Sequence, residues 1–424
     1  MSEQHFTIPL IFERLFFWRK LMETASILPS QKSGRFFALD WLRVGAFLLL
    51  VPYHTGMFFV TWDFHFKNPE TSHSIEFPML FVNGWRLSLL FLIAGIASAQ
   101  VLMRVSRKKF AKERFKRLFI PILFGIFVIV PPQIYYEHLF NHTRQYASYL
   151  DFWATVFQFQ PYPKGSFSWH HLWFVVYIFV YSLLLLALHT YFQTPHGTRL
   201  LDRFTNYFTQ SYRLYWIILP FLFLTHTLGP LFPTTHDLIN DWNNLTQTFL
   251  VFLWGYAIGS RSEAWMQAFV RLRRNALVLG IITISAYLFY FTWYDIWFPA
   301  ANPAWYVYVP MRSVRSFNGL LWLVVLIGYA TVHLNFSNRF LRYANEAVYP
   351  FYIVHQSVML VVGYYVLLQT WGIAAKFALV AALTYLVSWA LYEIIRRVNI
   401  LRPLFGLKSF QKSRSIDSKN VSVA

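Results

Sequence analysis

Long apolar stretches separated by shorter polar ones run through the chain from about residue 38 to residue 396. Ten of them stand out, at about 38–60, 79–102, 118–136, 168–189, 214–229, 245–260, 275–293, 312–333, 345–368 and 373–396. Most hold the roughly 20 residues that a helix needs to cross a bilayer; the fifth and sixth are the shortest. Polar and apolar residues do not alternate along them, which argues against a membrane β-barrel. The pattern predicts an all-α, polytopic bundle of about ten transmembrane helices. Pro52 is expected to kink the first helix and Pro350 to loosen the ninth, because proline lacks the donor that a helix interior uses. The connections 61–78, 137–167 and 294–311 are long and rich in aromatic residues and histidine, as a substrate cleft or its cover would be.

Composition agrees, with 57% hydrophobic and only 13% charged residues. The absence of cysteine removes disulfides, thiolate zinc sites and an acyl-cysteine intermediate. A net charge of +19 would suit nucleic acid on a soluble surface, but here the cations follow topology. Of 37 Lys and Arg, 29 fall in the N-terminal tail, the even-numbered connections and the C-terminal tail, and 4 in the odd-numbered loops. Lys/Arg-rich flanks stay in the cytoplasm, so both termini are expected inside and nucleic acid is not expected as a partner. Residues 1–35 lack a clean signal-peptide core and read as a cytoplasmic tail, with FTIPLIFERLFFWRK as an interfacial helix. Residues 36–400 form the membrane domain, and 401–424 a polar cytoplasmic tail, disordered after Arg402. The basic run Met103–Arg117 fits either lipid anchoring or a docking patch for a phosphate-rich ligand.

Charged and titratable groups inside apolar spans are costly and usually mark a site or pathway. Arg43 and His54 lie eleven positions apart in the first span. That spacing puts them on one helix face, roughly 16 Å apart along the axis. His54 reads as a reaction centre or as a histidine bonded to a neighbouring helix. Arg43 reads as a snorkelling interfacial arginine, paired with Asp40, or as a contact for an anion at the inner mouth. Arg86, in the second span, is expected at a depth similar to His54; it needs an anionic or dipolar partner, and none is evident nearby in the sequence. His170 and His171 open the fourth span. His355, with Tyr352 one turn earlier, sits near the middle of the ninth. Arg312 and Arg315 share a side of the eighth span, near Asn318, and suit an anion, a sugar or plain anchoring.

These elements together resemble the membrane acyltransferase-3 family. The resemblance rests on R-x10-H in the first span, RLSLLFLIAG in the second, ERFKRLFIPIL after it, HLWF opening the fourth and YPFYIVHQ in the ninth. It covers about residues 36–405. The ending YEIIRRVNILRPLFG is similar to the branch containing the C-type glucan biosynthesis proteins, associated with succinylation of periplasmic glucans. The resemblance implies a multi-pass enzyme of the bacterial inner membrane. It would move an acyl group, succinyl or acetyl, from cytoplasmic acyl-CoA to a hydroxyl of an extracytoplasmic glycan. His54 would then act as general base and Arg86 would stabilise the oxyanion or hold the acyl carbonyl. Arg43, His171, Tyr352, His355, Arg312 and Arg315 would bind substrates. No tightly bound cofactor and no metal is expected, acyl-CoA being a co-substrate. Membrane lipid is the surrounding partner, and oligomeric state is not specified. The alternatives are a transporter or flippase for an anionic lipid or glycan, and a sensor or scaffold without chemistry.

Overall fold

The computed structural model describes residues 36–297 and 305–410, so the interfacial helix expected within 1–35 lies outside the described residues. Within them the chain is helical, and its one β feature is an isolated bridge between Pro161 and Phe167. Among the described residues, seven helices are long and apolar enough to cross a membrane: His73–Leu102, Arg107–Phe140, His170–Phe192, Ser262–Trp293, Val307–His333, Arg339–Leu367 and Ile373–Arg397. The three other expected spans are helical but fall short of that measure. The first breaks into Phe37–Leu48 and Leu50–Gly56. The fifth is a 3-10 turn, Arg213–Ile217, followed by Ile218–Thr227. The sixth, Trp242–Ser260, carries Asn243, Asn244 and Gln247 in its opening turns.

Prolines inside helices free carbonyls, and in an apolar medium these must find other donors. Pro52 frees the Leu48 carbonyl, which accepts from the Tyr385 hydroxyl. Pro131 frees the Phe127 carbonyl, which accepts from Trp153 Nε1 at 2.7 Å. Two π turns, Phe115–Phe119 and Gly125–Ile129, precede Pro121 and Pro131 in the same way that π-bulges accommodate a lost ladder bond. Pro350 also removes a ladder donor, to the Glu346 carbonyl, yet Arg339–Leu367 continues through it as one helix.

Several boundaries differ from the pattern. The basic run 103–117 is mostly helix, because Ser106 caps a helix at Arg107 by accepting from the Lys109 N–H at 3.4 Å. The expected loop 294–311 shrinks, with helix running to Trp297 and resuming at Trp305. The tail after Arg402 is also ordered as far as residue 410. Arg402 bonds Glu346 at 3.3 Å, and Phe405 is buried.

The bundle is held by antiparallel neighbours, Ser262–Trp297 along Trp305–His333 and Arg339–Leu367 along Ile373–Arg397. A closer crossing joins Arg86–Leu102 to Trp242–Ser260. A Cβ on Gly95 would stand 2.0 Å from the Phe252 carbonyl oxygen, and one on Gly255 2.2 Å from that of Leu92. The two backbones touch, as small residues allow between membrane helices. Beyond Gly56 the chain turns back under Glu76, whose buried carboxylate accepts from the Thr61 N–H at 2.9 Å and hydroxyl at 2.6 Å. This fixes the turn that follows His54.

Candidate active site

His54 lies in the short helix after the break at Leu49, and its partner comes from 301 residues away. His54 Nδ1 is 3.1 Å from His355 Nε2, with the rings stacked at 5.3 Å. His355 Nδ1 lies 2.6 Å from the Tyr352 carbonyl oxygen. A carbonyl only accepts, so Nδ1 of His355 carries its hydrogen and Nε2 offers a lone pair. His54 Nδ1–H then donates to that lone pair. The remaining nitrogen, His54 Nε2, is left with a lone pair and no protein donor among the described residues.

His171 stands behind this pair. Its Nε2 donates to the Ile353 carbonyl at 3.0 Å, its Nδ1 accepts from Gln133 at 3.1 Å, and Gln133 also donates to Ser357 at 2.8 Å. The Tyr352 hydroxyl donates to the His171 carbonyl. Both ring nitrogens of His171 and of His355 are thus engaged by protein. Neither imidazole has a ring nitrogen without a protein partner, which suits them to position neighbouring groups.

A cavity of about 750 Å³ opens on His54. Arg86, Arg312, Arg315, Asn243, Asn244 and Gln247 also line it, and no described carboxylate does. Arg86 is 2% exposed, and its guanidinium carbon lies 3.9 Å over the Tyr53 ring. Its Nε and Nη1 have no partner among the described residues. An unsatisfied buried donor costs roughly 1–3 kcal/mol, more when charged, so this orientation calls for a ligand. Arg312 and Arg315 reach the same cavity, stacked against Tyr308 and Tyr287. Asn318 does not join them, since it donates to Gly280 and Thr283 at 2.8 Å each. His236 stacks on Trp173 at 4.0 Å, and burial holds its imidazole below the usual histidine range. The amides of Trp242–Ser260 were not singled out in the sequence; an i,i+4 pair of amides in an apolar segment was the available signal.

A second cavity, about 500 Å³, lines the other half of the same helices. The first cavity takes Tyr53 and His54, Arg86 to Ser88, and Trp173; the second takes Arg43 and Phe47, Leu90 to Ala97, and Phe174 to Ile178. Its cations are Arg43, Arg114, Arg117, Arg402 and Lys408, against the single carboxylate of Glu346. Arg43 bonds Asp40 at 3.2 Å and Asn345 at 2.7 Å. Tyr352 lines this second cavity, one turn below His355. Arg402 and Lys408 escaped the sequence reading because their segment looked like a free tail.

Residues 36–393 match the acyltransferase domain of the acyltransferase-3 family. Similar proteins include glucans biosynthesis protein C of Salmonella paratyphi A, Salmonella agona and Salmonella dublin. Each is 22% identical over 404 residues, covering 92% of this chain and 99% of the relative. No solved structure matches the chain. The match across most of the chain and the apolar helical bundle lead to one conclusion: this is a multi-pass membrane protein that belongs to the acyltransferase-3 family and is an acyltransferase.

Proposed function

We propose that the chain transfers an acyl group, succinyl or acetyl, from acyl-CoA in the Arg43 cavity to a glycan hydroxyl in the Arg86 cavity. The observation that carries this reading is a pair of cationic cavities, one opening on His54, whose Nε2 is bare, and the other reaching Tyr352, one turn from the His355 that holds His54. His54 Nε2 takes the proton from the acceptor hydroxyl, and the oxygen attacks the thioester carbonyl. Arg86 donates to the oxyanion that forms, as preorganised donors do. The C–S bond breaks, and the imidazolium returns its proton to the thiolate. The products are an O-acyl ester and free CoA. His355 and His171 act as positioning residues, the first orienting His54 and the second holding the helix that carries His355. Arg312, Arg315 and the amides of Trp242–Ser260 receive the acceptor. The name of the relatives makes a glucan the first acceptor to try.

The bundle makes ten passes in this reading, the broken first helix and the two shorter segments adding to the seven long ones. Residues 36–400 are its membrane domain and both termini face the cytoplasm, in a bacterial inner membrane. The 29-to-4 distribution of cations supports that orientation. Ser106 and Ser148 cap helices, so cysteines belong beside them, at exposed Lys108 and Ala147. An impermeant thiol reagent added to intact cells should label Ala147→Cys and spare Lys108→Cys. The reverse labelling overturns the orientation.

Arg43 is the contact for the CoA phosphates. Arg43→Ala should raise KM for acyl-CoA with little change in kcat, and Arg43→Lys should recover part of the loss because charge remains. An unchanged KM in both variants confines Arg43 to its bonds with Asp40 and Asn345. The test of the function as a whole uses proteoliposomes with radiolabelled succinyl-CoA or acetyl-CoA on one side and a glucan on the other. Label esterified to the glucan supports acyl transfer. Movement of solute without ester formation favours a transporter or flippase.

A further inference from the structure

Three side chains that the reaction does not use converge beside Gln356, the neighbour of His355. His65 comes from the turn after the first helix, Glu137 from Pro131–Phe140, and His170 from the turn that opens the next long helix. One ligand-type atom of each lies within 4.8 Å of the others. His65 Nδ1 is 2.5 Å from Glu137 Oε2, and the His65 and His170 rings stack at 5.0 Å. His170 Nε2 is buried and has no partner among the described residues.

The surroundings follow the grammar of a metal site, in which outer partners fix each ligand's orientation. Ser168 Oγ sits 2.6 Å from His170 Nδ1, which directs Nε2 inward. The Tyr162 hydroxyl donates to Glu137 Oε1 at 2.6 Å and leaves Oε2 for the centre. The Gln356 side-chain amide lies 3.2 Å from the outer nitrogen of His65; with that amide turned so that its oxygen accepts from Nε2–H, Nδ1 keeps its lone pair for the centre. We infer that His65 Nδ1, Glu137 Oε2 and His170 Nε2 bind a divalent transition-metal ion, zinc by donor type, with a fourth position open. Two imidazoles and a carboxylate are a known zinc set. The His65–Glu137 separation must open to roughly 3.3 Å, the edge of a tetrahedron with bonds of about 2.0–2.1 Å. The ion ties three separate segments together beside Gln356, the neighbour of His355. This site departs from the expectation of no metal and stands independently of the acyl-transfer reading.

The test uses the full-length chain, purified with a tag free of histidine, stripped with a chelator and exposed to Zn²⁺ or Co²⁺. The wild type should retain one equivalent of zinc through gel filtration and show visible absorption with cobalt. His170→Gln and Glu137→Gln should weaken binding by more than the roughly 10–100-fold that losing an outer partner costs. His170→Cys keeps a ligand and should add a thiolate-to-cobalt band in the near ultraviolet. The native chain has no cysteine, so that band has one possible source. If the glutamine variants fail to fold, His170→Cys decides: a band supports the site, and its absence from a monodisperse protein overturns it. Wild type without stoichiometric zinc, or equal affinity in folded glutamine variants, also overturns it.

Discussion

Replacing His54 by glutamine should lower kcat by at least about 10², the lower end of what a general base contributes. Glutamine keeps a similar size and a hydrogen bond to His355 but cannot accept and return a proton. The protein should still fold and insert, since the packing around position 54 is preserved. KM for acyl-CoA should change little, because the cations of the second cavity are untouched. His355→Gln is a useful companion. It leaves Nε2 of His54 in place and removes only the partner that fixes its tautomer, so it should reduce kcat by less than His54→Gln does. Acidification that protonates His54 should abolish turnover reversibly. A purified His54→Gln enzyme with near-normal kcat would remove the imidazole from the chemistry and return the site to the pathway or scaffold readings.

Replacing Arg86 by methionine should separate stability from activity. The guanidinium is buried with two donors unpartnered, so removing it should leave thermal stability unchanged or higher, as is usual where a site carries strain for function. Turnover should fall by about 10²–10³, the range for losing one oxyanion donor. Arg86→Lys should recover little, since a single ammonium lacks the planar fork. Thermal unfolding and kinetics on the same preparation check both halves. A large drop in melting temperature, with kcat retained in the fraction that survives, would make Arg86 a structural residue.

The apolar periods disclosed the helices and the class of fold, because long hydrophobic runs have few other physical uses. They disclosed ends less well. Ser106 starts a helix inside a run of eight cations that read as loop. One helix runs on to Trp297 and another begins at Trp305, each beyond its apolar core. The sequence also marked Arg43, His54, Arg86 and His355, because each interrupts apolar surroundings. It did not show which of them meet. The spacing of Arg43 and His54 put them on one face and well apart, and the structure places them in different cavities, with His355 of another helix as the partner of His54. Contacts across 301 residues depend on how helices cross, and one chain carries no periodic trace of that. Leu401–Leu404 and Phe405 docked because their side chains are apolar and Glu346 awaits Arg402; the lysines and serines further on masked this local pattern. The His65–Glu137–His170 group was equally hidden, each member lying in a different segment.

The two cavities make the molecule thin at one level. From the Arg86 side the protein is hollow down to His54, and from the Arg43 side up to Tyr352. What separates them is a septum of His54, His355, Tyr352 and Phe47, the last two packed edge to face at 5.6 Å. Within it the ring nitrogens of His355 and the hydroxyl of Tyr352 already bond to protein, which denies a file of water its usual partners. An energised membrane stores about 2.3 kcal/mol per elementary charge for each 100 mV. In the proposed topology, which opens one cavity to each face, most of that voltage falls across these few side chains instead of the full bilayer. Under the acyl-transfer mechanism proposed above, the septum insulates as well as catalyses, and the proton exchanged at His54 moves where the electric field is steepest.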